Sequence, residues 1–217
     1  MSMRTPDDQP AVSASDRAFH HVKAAIIRGD FASGTMISEG LVVADLGISR
    51  TPVHEAFLRL AAEGLLDLLS RKGAIVRPIA PSEAEDVLEM REAIESAAAQ
   101  RAIRLGDIDT LMPRLHRLLD LQVVATENAD VVAYLDADDE FHSAVVEASG
   151  NRIAVDFMGR LHDRQQRLRH QLVRVRPEQL VEGLAQHRQL ADALAAGDGE
   201  RYAAVLHDHV ASHRGAL

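Results

Sequence analysis

Four side chains able to bind a metal ion sit where apolar ones are expected. In the segment 130–148, Leu135, Asp138, His142 and Val145 recur at steps of three and four, so one helical face carries a carboxylate and an imidazole among core residues. His187 falls on the stripe Leu180, Leu184, Leu190, Ala191 and Leu194, and His209 lies with Tyr202, Val205, Leu206 and His213. A single histidine on such a stripe is ordinarily a core residue with one hydrogen-bond partner. Three of them on three helices, one four residues from an inward Asp, are costly to bury separately, whereas one divalent cation would partner all four groups. Three imidazoles and a carboxylate leave open positions on a cation that takes five or six ligands, and zinc, nickel and manganese all tolerate such a set.

A second chemistry is concentrated in residues 47–66. Ser49 is placed to cap a helix, Pro52 stands in its first turn, and Gly64 stops it. Val53, Ala56, Phe57, Leu60 and Ala61 make the inner face, and Arg50, Thr51, His54 and Arg59 the outer one. Guanidinium and hydroxyl groups at the exposed start of a short helix suit phosphates and base edges in the DNA major groove.

Composition favours packed helices around both features. Nearly half of the 217 residues are apolar, and aromatics are only 3%. The chain has no Cys, which excludes disulfides and thiol chemistry. No apolar run resembles a signal peptide or a membrane span, so a cytoplasmic location is expected. The net charge of −9 argues against DNA binding until it is divided. Residues 1–80 hold nine basic and nine acidic side chains, so the acidic excess lies wholly in the remainder. A local cationic cluster acts over roughly 10 Å and is not cancelled by distant acidic groups.

The elements follow in order. Residues 1–15 read as a polar, disordered leader. Asp16 is expected to cap a first helix with Phe19, Val22, Ile26 and Ile27 inward. A second short helix opens at Ser38-Glu39 and stops at Gly47, and the reading helix follows. Two short strands, 65–69 and 73–78, are joined by Ser70-Arg71-Lys72-Gly73. A linker at 79–82 precedes six helices at about 82–105, 107–126, 129–148, 151–172, 177–196 and 198–214, with Gly106-Asp107, Pro177 and Gly197-Asp198 among the joints. The fold class is therefore mainly α: a winged helix-turn-helix of three helices and a β-hairpin over 16–78, then an all-α bundle over 83–217.

The first segment closely resembles the winged helix-turn-helix of GntR-family bacterial regulators. Gly34, Ile37-Ser38-Glu39, Leu46-Gly-Ile-Ser-Arg-Thr-Pro-Val53, Glu55-Ala56, Leu60, Glu63-Gly64-Leu65 and the Arg-Lys-Gly turn carry the likeness. It implies DNA contacts from Ser49, Arg50, Thr51, His54, Arg71, Lys72 and Gly73. Two positions depart from the pattern: His54 stands where Arg is usual, and Gly40 where a basic or polar residue often follows Ser-Glu. Both remove positive donors, so altered operator preference or weaker affinity is expected. His54 is expected to add a contact mainly when protonated, its ordinary pKa being about 6.5.

The second segment resembles the helical FCD ligand-binding domain of the FadR-type subgroup. The likeness rests on Arg91 with Glu95, Asp138-x-x-Phe141-His142, Ala148-Ser-Gly-Asn151, His187-Arg188, and Gly197-Asp198 leading to His209. It implies that Asp138, His142, His187 and His209 converge on a divalent metal. His213, one turn beyond His209, is able to replace or back it. A small carboxylate metabolite would fill the open positions, with Arg91 as counter-charge and Asn151 as donor. His116, His162, His170 and His207 are expected to be solvated. The function implied is a homodimeric, metabolite-responsive regulator, a repressor by resemblance, on a palindromic operator. A purely structural metal and a metal-dependent enzyme are the other two readings; for the enzyme no further general base or nucleophile is evident.

Overall fold

A computed structural model describes residues 12–70, 72–105, 108–175 and 178–213, with the backbone alone over 171–175. Arg71, most of the expected leader, and the joints at Gly106-Asp107 and Pro177 lie outside the described residues. The chain divides into two compact units, Met1–Pro78 and Ile79–Leu217.

In the first unit, α1 (Ala14–Arg28) buries Ala18, Phe19, Val22, Ala25 and Ile26. Its cap is Ser13, whose hydroxyl accepts the Asp16 N–H at 3.0 Å, and not Asp16 as the sequence suggested. Asp16 is instead a first-turn carboxylate, favourably placed at the helix N-terminus and paired with Arg59 at 2.7 Å. The two-residue strand β1 (Met36–Ile37) leads into α2 (Glu39–Leu46), capped by Ser38 through the Leu41 N–H at 3.1 Å. Then comes α3 (Arg50–Ala62), with Val53, Ala56, Phe57 and Leu60 buried. Ser49 is at its N-cap position, but its side chain makes no capping hydrogen bond.

Strands β2 (Leu66–Leu69) and β3 (Gly73–Val76) form the expected hairpin, and β1 joins it to give the antiparallel order β1-β3-β2. Strand β1 was not foreseen, because two residues are too few to show alternation. Gly73 has φ +108°, and a Cβ there would lie 2.2 Å from the Ile37 carbonyl oxygen. Only glycine lets β1 approach the hairpin this closely.

The second unit is all helical among the described residues: α4 (Pro81–Leu105), α5 (Ile108–Glu127), α6 (Val131–Ala148), α7 (Arg152–Val175), α8 (Gln179–Ala195) and α9 (Gly199–Ser212). The largest boundary change is at the end of α7, three residues beyond the expected stop. Helix α6 packs on α4, α5 and α7, and α9 packs on α4 and α8. Leu115, Leu118, Phe141, Val145, Leu190, Leu194, Tyr202 and Leu206 form one apolar core. Set into that core are Arg91, Glu95, Gln122, Asp138, His142, His187 and His209, each at most 3% exposed. Seven buried polar side chains in one bundle require an internal network of partners.

Candidate metal centre and DNA-reading face

The apolar stripes of α6, α8 and α9 carry their interrupting polar residues to one place. Asp138, His142, His187 and His209 each offer one ligand atom, and these atoms lie within 4.8 Å of one another. His187 Nε2 stands 3.2 Å from both His142 Nε2 and Asp138 Oδ1, and His142 Nε2 stands 3.9 Å from that oxygen. Two nitrogens held at about 2.0–2.1 Å from one ion stand roughly 3.0–3.4 Å apart when the angle between them is near 90–110°.

What orients these rings is a surrounding layer of acceptors. His142 Nδ1–H donates to Glu95 Oε2 at 2.6 Å, His187 Nδ1–H to Gln122 Oε1 at 2.7 Å, and His209 Nδ1–H to Gln186 Oε1 at 2.8 Å. An ionised carboxylate only accepts, so His142 carries its proton on Nδ1 and turns the Nε2 lone pair inward. His209 is fixed twice, since Arg91 Nη2, which only donates, faces its Nε2 at 3.4 Å. His187 with its proton on Nε2 donates to Asp138 Oδ1 at 3.2 Å, and with its proton on Nδ1 toward Gln122 it turns an Nε2 lone pair inward beside that of His142, where a cation would take both. The donor set therefore fits a divalent ion, and the outer hydrogen bonds match those of metal-binding histidines.

Electrostatics support neutral rings beside ionised acids. Burial opposes ionisation of Glu95, but His142 and the Arg91 guanidinium outweigh it and hold the carboxyl down at about 2. Burial likewise opposes ionisation of Asp138, and Arg169 and His187 more than offset it. Burial, reinforced by Arg91, pushes His142 down to about 4. Burial and His213 hold His209 well below the usual imidazole range.

Arg91 stands at the edge of the cluster, its Nε bonded to Glu95 Oε1 at 2.7 Å. Asn151 caps α7: its Oδ1 accepts the N–H groups of Ile153 and Ala154 at 3.2 and 3.4 Å. An Asn just before a helix serves that purpose in general, and it uses the oxygen and not the amide N–H donors. His213 lies behind His209, ring centroids 4.8 Å apart, and stays outside the group of four. His162 and His207 are half exposed and paired with Asp139 and Glu92, whereas His170, expected to be solvated, is buried.

Three functional neighbours were not foreseen. Gln122 had the same signal as the histidines, a polar residue on the α5 stripe Leu111, Leu115, Leu118 and Ala125. Gln186 and Arg169 had none. Arg169 lies on the strongly polar α7, and its guanidinium grips Asp138 Oδ2 while standing 3.7 Å from Asp139.

In the first unit, Arg50, His54, Lys72 and Gly73 line one cleft between α3, the start of α2 and the hairpin. Ser49 and Thr51 lie at the exposed start of α3, and Arg71 is outside the described residues. Glu39 crosses from α2 to α3, with Oε1 2.7 Å from His54 Nδ1 and Oε2 3.5 Å from Arg50 Nε.

Comparison with known proteins agrees with both halves. The family model described as "Bacterial regulatory proteins, gntR family" matches residues 14–76, and that of the FCD domain matches residues 86–212. The chain belongs to the GntR family. An HTH-type transcriptional regulator of Agrobacterium vitis, from the TAR-I ttuE-ttuC' intergenic region, is 35% identical over 63% of this chain and 82% of its own length. The Escherichia coli HTH-type transcriptional repressor RspR is 27% identical over 93% of this chain and 87% of its own. A solved structure of a GntR transcriptional regulator from Rhodococcus sp. RHA1 superposes with a TM-score of 0.74 at 26% identity, covering 94% of this chain and 98% of that one. GntR membership makes the chain a DNA-binding transcription regulator and not an enzyme. No helix of the described residues is long and apolar enough to cross a membrane.

Proposed function

We propose that this GntR regulator is a metabolite-responsive repressor whose helical unit holds a divalent cation on Asp138, His142, His187 and His209. A small carboxylate would complete the cation's coordination, with Arg91 as its counter-charge. The carrying observation is the convergence of four ligand atoms within 4.8 Å, with each histidine anchored through Nδ1. Zinc, nickel and manganese suit this donor set, and availability decides among them. One reading helix covers half a site, so the regulator acts as a homodimer on a palindromic operator. Repression is supported by the similarity to RspR. The effector alters operator affinity only by binding one arrangement of the dimer more tightly than the other.

The test is operator binding titrated with a panel of carboxylates, with and without a chelator. The expected result is one carboxylate that weakens DNA binding only when metal is present. DNA affinity indifferent to every carboxylate, in protein shown to contain metal, would make the metal structural and overturn the effector reading.

A further inference from the structure

The DNA-reading helix carries, one turn in from its N-terminus, an imidazole paired with a carboxylate where a basic surface is anticipated. Helix α3 follows α2 through a short turn, and in this arrangement the exposed N-terminal residues of the second helix meet base edges in the major groove. Val53, Ala56, Phe57 and Leu60 fix which face is inward, so Arg50 and His54 face out, with side chains 76% and 56% exposed. Guanine presents two acceptors in that groove and is read by donors. Adenine and cytosine each present an exocyclic amino group and are read by acceptors.

His54 Nδ1 lies 2.7 Å from Glu39 Oε1, and a carboxylate accepts only, so the ring proton is on Nδ1. In the neutral ring Nε2 is then an acceptor. Glu39 selects this tautomer of the neutral ring, since it is fixed at the first turn of α2 behind the Ser38 cap and also pairs with Arg50. Among the described residues, the charged groups that line the cleft with the ring are Glu39 from α2, Arg50 from α3 and Lys72 from the hairpin. The flanks supply the positive charge that phosphates require, and the middle supplies lone pairs.

We propose that His54, oriented by Glu39, reads an amino group, N6 of adenine or N4 of cytosine, at one base pair of the site covered by each reading helix. Glu39 is its positioning residue. This assigns the ring a contact in its neutral form, in place of the protonated contact first expected of it. The inference is independent of metal and effector.

The experiment selects duplexes from a randomised library with the full chain, at a pH well above the ordinary imidazole range. Wild type, His54→Arg, His54→Ala and Glu39→Gln are compared. The wild-type preference contains one column of adenine or cytosine that depends on residue 54. His54→Arg turns that column to guanine and leaves the others in place. His54→Ala flattens it, and changing that one base pair in the selected duplex then costs wild type about five- to tenfold in affinity and His54→Ala almost nothing. Glu39→Gln, whose amide both donates and accepts, releases the tautomer and blurs the same column, an effect that loss of packing alone would not confine to one position. Columns that are identical in wild type and His54→Ala, or a residue-54 column that is guanine in wild type, would overturn the proposal. Should His54→Ala fail to bind, the His54→Arg selection decides between the same two outcomes.

Discussion

Gln186 offers the sharpest test of the metal centre, because it touches no cation and yet sets a ligand's direction. Its Oε1 accepts the His209 Nδ1–H at 2.8 Å. In Gln186→Leu that proton loses its acceptor. His209 cannot relieve the loss by moving the proton to Nε2, because Arg91 Nη2 faces that atom at 3.4 Å and two donors would then oppose each other. The ring must tilt or rotate, and the Nε2 lone pair leaves the direction shared with His142 and His187. Losing such an outer partner typically lowers metal affinity by about 10–100-fold, or roughly 1.4–2.8 kcal/mol. Gln186→Glu keeps the oxygen and makes the partner anionic, as Glu95 already is for His142, so affinity is expected to equal or exceed that of wild type. The measurement is competition between protein and a chromophoric chelator near neutral pH, with melting of the metal-free proteins as the fold control. A Leu variant binding metal within about twofold of wild type would refute the claim that outer hydrogen bonds aim the ligands.

Further outcomes follow from the same geometry. His142→Ala should lose metal and effector response, with a lower melting temperature, while residues 1–78 still bind operator; unchanged metal content would sink the ligand assignment. Gly73→Ala drives a Cβ against the Ile37 carbonyl at a φ of +108°, so the three-stranded sheet should lose about 1–3 kcal/mol or more and operator affinity should fall with it, read by melting and by a binding titration. Metal-free protein should be acid-sensitive. The folded-state value of His142, about 4, lies below the unfolded imidazole value of about 6.5, so the unfolded chain binds more protons in that window. Stability is therefore full above pH of about 6.5 and lost as pH falls toward 4, by roughly 3 kcal/mol from this residue alone, measured by denaturant unfolding across the range.

The helical half was legible because its elements are long and striped. Leu111, Leu115 and Leu118 on α5, or Leu190, Ala191 and Leu194 on α8, recur at mixed steps of three and four that no strand shares. The four candidate metal-binding residues were legible for the same reason, as polar residues out of place on apolar faces. Gln122 was visible by that rule and overlooked because an amide binds metal poorly, although its use here is to hold a ligand. Arg169 could not be found, since one more cation on polar α7 carries no periodic signal. Strand β1 is too short to show a pattern, and its place depends on a long-range fit to Gly73 that no local window contains. At Asn151 the capping role had no separate signal, because the residue that opens a helix and the residue that donates to a ligand are chemically the same.

The charges buried around the centre bear on what must accompany the cation. Arg91 is paired with Glu95, and Arg169 with Asp138, so two guanidinium groups and two carboxylates cancel within the network. Asp139, the next carboxylate outward, is held by His162 at 3.0 Å. The three ligand histidines contribute no formal charge when neutral. A divalent ion therefore enters a nearly balanced site and brings an excess of positive charge into the bundle, where uncompensated charge is costly. A metal-binding group with a net negative charge of its own would have removed that excess, as a second or third ligating carboxylate does. With Asp138 as the only acidic member of the proposed ligand set, and Arg169 already engaging its other oxygen, the compensation would come from an anion on the cation's open positions. Cation and carboxylate effector are thus expected to bind each more tightly in the presence of the other.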